Sequence, residues 1–392
     1  MAMATSSSPA VAYPLLAEPL RIGPRRLRNR VYQAPMSVAY GDDDGFVTRA
    51  AAEHYGRRAQ GGVGMVITEN LAISQAGRQL PHQILAADDS HVAGLAELAG
   101  EITRHGAVAI AQIVHAGRYA GPWQEYAARR RLAPSAVPFT LPVGGVCPDE
   151  ITRAEIDETI AEFANATRLL REAGFDGVEI HGAQGFLLSS FQTPRMNLRE
   201  DEYGGSFANR CRLALQVVDA VLEVAGDDFV VGYHLMSDER MPDGWTIEDA
   251  VRFGHELEHR GVHFVIPVAA TFEALGAPHN AGLYARPKFQ HHDTMRLAAE
   301  LSIPVLANGR LGDPAEAEAV LRRGEAAAIG LARPLLSDPD WYRKVQDGRE
   351  ADLHVCACDP PTCLMTQLTG SICNAWSDSV KQRGFLGYDE QA

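Results

Sequence analysis

Eight short runs of apolar and β-branched residues recur from residue 31 onward, each followed by a stretch with helical periodicity. They are VYQAPM (31–36), GMVIT (64–68), AVAIAQIVH (107–115), GVEIH (177–181), FVVGYHL (229–235), HFVIPVA (263–269), PVLANG (304–309) and AAAIG (326–330). Between them, residues 154–174 and 247–260 repeat apolar positions at three- and four-residue steps, the period of an amphipathic helix. Thr152, Asp313 and Asp338 suit helix N-termini, and Gly174, Gly261 and Gly324 suit helix stops. Strands without polar alternation are buried on both faces, and eight strand–helix units close a barrel. The predicted fold class is therefore α/β, a (β/α)8 TIM barrel. A doubly wound open sheet would announce itself with GxGxxG after the first strand, and VYQAPMSVAYGDD has nothing of the kind.

The pattern divides the chain into a disordered lead-in (1–13), one barrel domain (14–349) and a C-terminal tail (350–392). Residues 118–152 interrupt the pattern and are predicted to cap the barrel mouth. Composition adds exclusions: 36 Lys and Arg against 50 Asp and Glu give a formal net charge of -14, which argues against a nucleic-acid partner. No apolar run is long enough for a membrane span and the N-terminus lacks a secretion signal, so the expected compartment is the cytoplasm. The sequence leaves a homo-oligomer open. Of six cysteines, Cys356, Cys358, Cys363 and Cys373 crowd into the tail.

Chemistry in a barrel sits at the C-terminal ends of the strands. Polar residues gather there: Ser37 after Pro35 and Met36, Thr68 and Glu69, Gln112 and His115, His181 and Gln184, His234, Asn308 with Arg310, and Arg333 after Ala332. Together they predict a polar small-molecule ligand in the mouth. Gly309 allows close backbone approach and Arg333 offers a planar fork, so the last two strand ends suit phosphate. The competing reading of Arg333 is a surface salt bridge to Asp338 or Asp340.

LRIGPRRLRNRVYQAPMS, HYGRRAQGGVGMVITE, AQIVHAGR, GVEIHGAQGFLLSSF and IPVLANGRLGDPAEAEAVLRRGEAAAIGLARPLLSDPDW resemble the Old Yellow Enzyme family of flavin mononucleotide (FMN) oxidoreductases. The closer likeness is to its 2,4-dienoyl-CoA reductase and trimethylamine dehydrogenase branch, over about residues 14 to 347. The resemblance implies an enzyme that binds FMN and takes NADH or NADPH as reductant. It places Pro35, Met36 and Ser37 along the flavin, with Glu69 and Ala332 also among the cofactor-binding residues. Gln112 would hold the pyrimidine edge, and Gly309, Arg310 and Arg333 the phosphate. His181 and Gln184 would anchor a substrate oxygen over the ring.

Two departures bear on the chemistry. Phe186 stands where the family commonly has the tyrosine that protonates the substrate carbon, which makes Tyr119, Tyr40 and water the candidate replacements. His234 stands where the family has an arginine facing the flavin, and an ordinary histidine pKa of about 6.5 makes its charge conditional. The resemblance implies reduction of an activated alkene, enone or quinone-like acceptor with a non-standard proton donor. Substrate oxidation, including N-demethylation, is the first alternative, and a flavin-free phosphate-binding lyase or isomerase the second. The tail reads CxCx4Cx9C, where dienoyl-CoA-reductase-like relatives hold a [4Fe–4S] cluster with different spacing. Such a cluster would bring in an external electron-transfer partner.

Overall fold

The structure is a computed structural model that describes residues 12–121, 130–141, 144–283, 286, 289–358 and 361–378. The expected lead-in through residue 11, and parts of the expected cap and tail, lie outside the described residues. Eight parallel strands form one sheet: β1 (Val31–Gln33), β2 (Met65–Ala72), β3 (Val108–Val114), β4 (Gly177–Gly182), β5 (Val230–Asp238), β6 (Phe264–Ala269), β7 (Leu306–Ala307) and β8 (Ala328–Leu331). β8 pairs with β1, and a bridge from Val265 to Val305 joins β6 to the entry of β7, closing the barrel. All eight predicted strands are present. β7 is shortened because Pro304 has no N–H to donate and Gly309 turns left-handed at φ +92°.

Helices α1 (Arg49–Gln60), α2 (Val92–Thr103), α3 (Arg153–Glu172), α4 (Phe207–Ala225), α5 (Ile247–Arg260), α6 (His291–Glu300) and α7 (Pro314–Arg322) alternate with the strands. Thr152 caps α3 through a reciprocal capping box with Glu155, and Asp313 caps α7 by accepting from the Ala315 N–H. Asp338 does not cap a helix; it pairs with Lys344, and the helix Trp341–Gln346 begins after Asp340.

The strands alternate after all, between two apolar environments. Val66, Ala109, Ala111, Val178, Ile180, Val231 and Tyr233 face the helices. Tyr32, Met65, Ile67, Val108, Ile110, Val230, Phe264 and Ile266 fill the barrel. An antiparallel hairpin, Leu20–Ile22 with Arg25–Leu27, adds Ile22 and Leu27 to this inner cluster and so seals the barrel floor. Within the cap, Leu132–Ala133 pairs with Asp149–Glu150, which ties the ends of the insertion together. Among the described residues no helix is long and apolar enough to cross a membrane.

Because the Thr152 cap satisfies N–H groups that would otherwise be orphaned, Thr152→Ala is expected to lower stability by about 1 kcal/mol. Denaturant unfolding checks this, and ligand binding at the mouth should not change.

Candidate active site

Register carries the inward side chains of neighbouring strands into common layers. Asn70, Gln112, Glu179 and Gly232 are successive partners across β2, β3, β4 and β5. Above the Glu179 layer, His181 of β4 pairs in register with His234 of β5. Glu179 is fully buried; its Oε2 accepts from Gln112 Nε2 at 2.8 Å, and its Oε1 lies 3.0 Å from His234 Nδ1. Sequence reasoning missed Glu179, although a carboxylate inside GVEIH at the same strand parity as His181 is the signal that could have found it.

The rings of His181 and His234 lie 4.9 Å apart. Burial, and then the neighbouring His234, hold the His181 imidazole well below its ordinary pKa. His181 is therefore neutral, and because its Nδ1 accepts from the Ala183 N–H at 3.3 Å, its proton sits on Nε2. Gln184, on a left-handed backbone at φ +59°, lies close to this histidine and acts against the lowering of its pKa. His115, at the end of β3, is occupied differently: burial lowers its pKa to about 4 and its Nδ1 takes the Gly117 N–H.

Phe186 is buried and belongs to an aromatic wall over His181, whose ring it meets edge-on at 4.7 Å. Tyr119 packs edge-on against Phe186 at 5.9 Å, against Phe139 of the cap at 5.2 Å and against Phe272 of the β6 loop at 5.2 Å. The Tyr119 hydroxyl faces Glu273 at 3.4 Å and is close enough to Gly185 that a Cβ there would lie 2.8 Å from it. Burial and Glu273 raise its pKa, which keeps the phenol protonated. Arg118 lies over the Phe139 ring and pairs with Glu273 at 3.1 Å, binding cap and β6 loop to the same wall. Tyr40, the other candidate donor, instead gives its hydroxyl hydrogen to the carbonyl of Ser371 in the tail.

The loop after β1 carries Pro35, Met36 and Ser37, all half-buried. Ser37 Oγ donates to Asn70 Oδ1 at 2.9 Å. Glu69, expected to contact the cofactor, directs its Oε2 to the backbone N–H groups of Val38 and Ala39 and so shapes this loop from below. The tail clasps the same loop from outside: Ser371 N–H donates to Val38 O, Gln367 Nε2 to Ser37 O, and Met36 joins Leu336, Cys363, Cys373 and Trp376 in one cluster. Cys356, Cys358 and Cys373 line a cavity of about 450 Å³, with Cys363 buried nearby, where burial raises its pKa to about 11. The donor chemistry suits a cluster, but among the described residues no three His, Cys, Asp or Glu groups are placed to hold a metal ion.

At the far side of the mouth, Gly309 and Arg310 both adopt left-handed backbone. Asp338 is taken by Lys344 and Asp340 by Arg57, so neither engages Arg333. Among the described residues Arg333 has no hydrogen bond or ion pair, which leaves its half-buried fork available to an anion. Ala332, half-buried, immediately precedes it.

Comparison with known proteins places the chain among relatives of known kind. The sequence profile described as the NADH:flavin oxidoreductase / NADH oxidase family matches residues 15–352. The chain is 34% identical over 349 residues to an NADH oxidase of Thermoanaerobacter brockii, covering 88% of this chain but 52% of that protein. It is 36% identical over 328 residues to an NADPH dehydrogenase of Geobacillus sp. (strain WCH70), covering 83% of this chain and 92% of that one. A 2-naphthoyl-CoA reductase in complex with 2-naphthoyl-CoA superposes with a TM-score of 0.86 at 26% identity, over 94% of this chain and 59% of the other. The chain thus spans about half the length of the first relative and most of the second.

Glu69 yields a pH test. Burial raises its carboxyl from the usual 4.5 to about 7, overriding the loop N–H groups that lower it. The folded state therefore holds this proton more tightly than the unfolded state. Its contribution to stability is full below about pH 4.5 and is lost as pH rises through about 7. Melting temperatures across that window should fall less steeply for Glu69→Gln than for the wild type.

Proposed function

The chain belongs to the NADH:flavin oxidoreductase / NADH oxidase family, and on that premise we propose that this FMN oxidoreductase passes reducing equivalents from NADH or NADPH to an activated alkene, enone or quinone-like acceptor. Family membership sets aside the flavin-free lyase or isomerase. The observation that carries the reading is His181, a buried neutral imidazole with its proton on Nε2 beside Gln184. FMN, when bound, supplies hydride transfer between its N5 and a carbon of the substrate. Pro35, Met36 and Ser37 would lie along its ring, Gln112 and His234 at its pyrimidine edge, and Gly309, Arg310 and Arg333 at its phosphate. The residues present fit the group, since Arg333 has no side-chain hydrogen bond or ion pair among the described residues and Gly309 adopts the left-handed backbone at a neighbouring strand end.

The chain's own residues do the rest. His181 and Gln184 hold the acceptor's oxygen, where negative charge develops, with donors that are already oriented. The aromatic wall of Phe186, Tyr119, Phe139 and Phe272 excludes water from that side. Phe186 holds no proton, and Tyr119 is the proton donor proposed in its place: a protonated phenol beside the HGAQG loop, next to Glu273. No step is assigned to the tail cysteines.

Anaerobic titration of the FMN-loaded protein tests the proposal. NADH or NADPH should bleach the flavin absorbance, and an enone or quinone should restore it; a flavin that neither nucleotide bleaches refutes the reading. For the proton donor, Tyr119→Phe is expected to lower turnover on enones about a hundredfold. Phe186→Tyr in that background should recover much of the loss, and full activity in Tyr119→Phe alone would assign the donor elsewhere.

A further inference from the structure

Among its register partners Asn70, Gln112 and Gly232, Glu179 is the carboxylate, and it sits where the barrel interior changes from apolar to polar. Below it lie Tyr32, Ile67, Ile110 and Val230. Beside it in register is Gly232, where a Cβ would come within 2.1 Å of the Phe264 ring, so β5 contributes no side chain at that level. Each oxygen of Glu179 meets one partner, Gln112 Nε2 on one side and His234 Nδ1 on the other. An ionised carboxylate only accepts hydrogen bonds. Both partners must therefore turn a hydrogen toward it, which fixes what they present on their opposite sides.

We infer that Glu179 is a positioning residue that sets the polarity of two cofactor-facing groups at once. It holds Gln112 with its amide nitrogen inward and its carbonyl oxygen outward, and it holds the proton of His234 on Nδ1. This rests on the flavin reading above. The pyrimidine edge of an isoalloxazine ring alternates acceptor C2=O, donor N3–H and acceptor C4=O. An outward Gln112 carbonyl meets the donor of that edge. His234, with Nδ1–H committed to Glu179, leaves Nε2 as the ring nitrogen free to face the mouth. The other titratable group facing His234 is His181, which is neutral, and the register partner of His234 on β6 is the apolar Ile266.

The test uses Glu179→Gln and Glu179→Asp, with His234→Asn to assign the resonances. In the FMN-free protein with 15N-labelled histidine, long-range 1H–15N spectra should show the His234 proton on Nδ1 in the wild type. That signature should be lost in Glu179→Gln and at least partly kept in Glu179→Asp. An unprotonated Nδ1 in the wild type, or the same Nδ1–H in Glu179→Gln, overturns the inference. In fluorescence titrations Glu179→Gln should bind FMN about tenfold more weakly, the equivalent of losing one charge-assisted hydrogen bond. If the histidine signature changes as expected while neither protein binds FMN, the flavin reading fails and the role of Glu179 toward His234 stands. If FMN binds both equally, Glu179 does not position its contacts.

Discussion

A closed barrel of eight parallel strands has one narrow interior, and the inward side chains of every strand must share it. That constraint decides where chemistry can occur here. Tyr32, Met65, Ile67, Ile110 and Phe264 fill the lower interior, and the hairpin at Leu20–Leu27 seals it. Register then brings Asn70, Gln112 and Glu179 to one level, with His181 and His234 above them. Burying Glu179 without partners would cost several kcal/mol. The cost is tolerable because each carboxylate oxygen meets a partner.

The mouth is built from three kinds of surface with different origins. His181 and Gln184 come from the β4 turn, where the left-handed backbone at Gln184 and Gly185 brings the amide back toward the imidazole. The aromatic wall is assembled from distant segments, and Phe186 is what lets the β4 turn pack against cap and β6 loop together. A tyrosine at this position would bring a hydroxyl needing a partner within an apolar cluster. Tyr119, with Glu273 beside it, brings a phenol to the same cluster. The β1 loop is held between Glu69 below and the tail outside, so Met36 and Ser37 are fixed from both sides.

Much of this was legible in the chain. Each strand announced itself because a fully buried strand must be apolar on both faces, and the Thr152 and Asp313 caps followed local hydrogen-bonding rules. Strand-end polarity located the mouth. What local pattern could not reveal were contacts between residues far apart in sequence. Glu179 looked like a lone charge in a strand, and only register sets it between Gln112 and His234. Glu69 follows the predicted second strand, and the structure sets it within β2, where its Oε2 serves the backbone of another strand's loop. Tyr40 was an available hydroxyl until the tail, 331 residues away, took it. Cys356, Cys358 and Cys373 line one cavity, but spacing alone does not determine whether the tail sulfurs converge on a metal.

On the proposed reading the two ends of the mouth would make separable contributions, polar ring contacts at Gln112 and His234 and an anion cradle at Gly309 and Arg333. Comparing the affinities of the apoprotein for FMN and riboflavin, in the wild type and in Arg333→Ala, isolates the second and so tests whether this mouth is a flavin mononucleotide site. FMN should bind the wild type at least about tenfold more tightly than riboflavin, since charge-assisted hydrogen bonds to phosphate are worth roughly 1.5–3 kcal/mol each. Arg333→Ala should close most of that gap by weakening FMN alone. Equal binding of the two flavins by the wild type, or no binding of either, would contradict the site described.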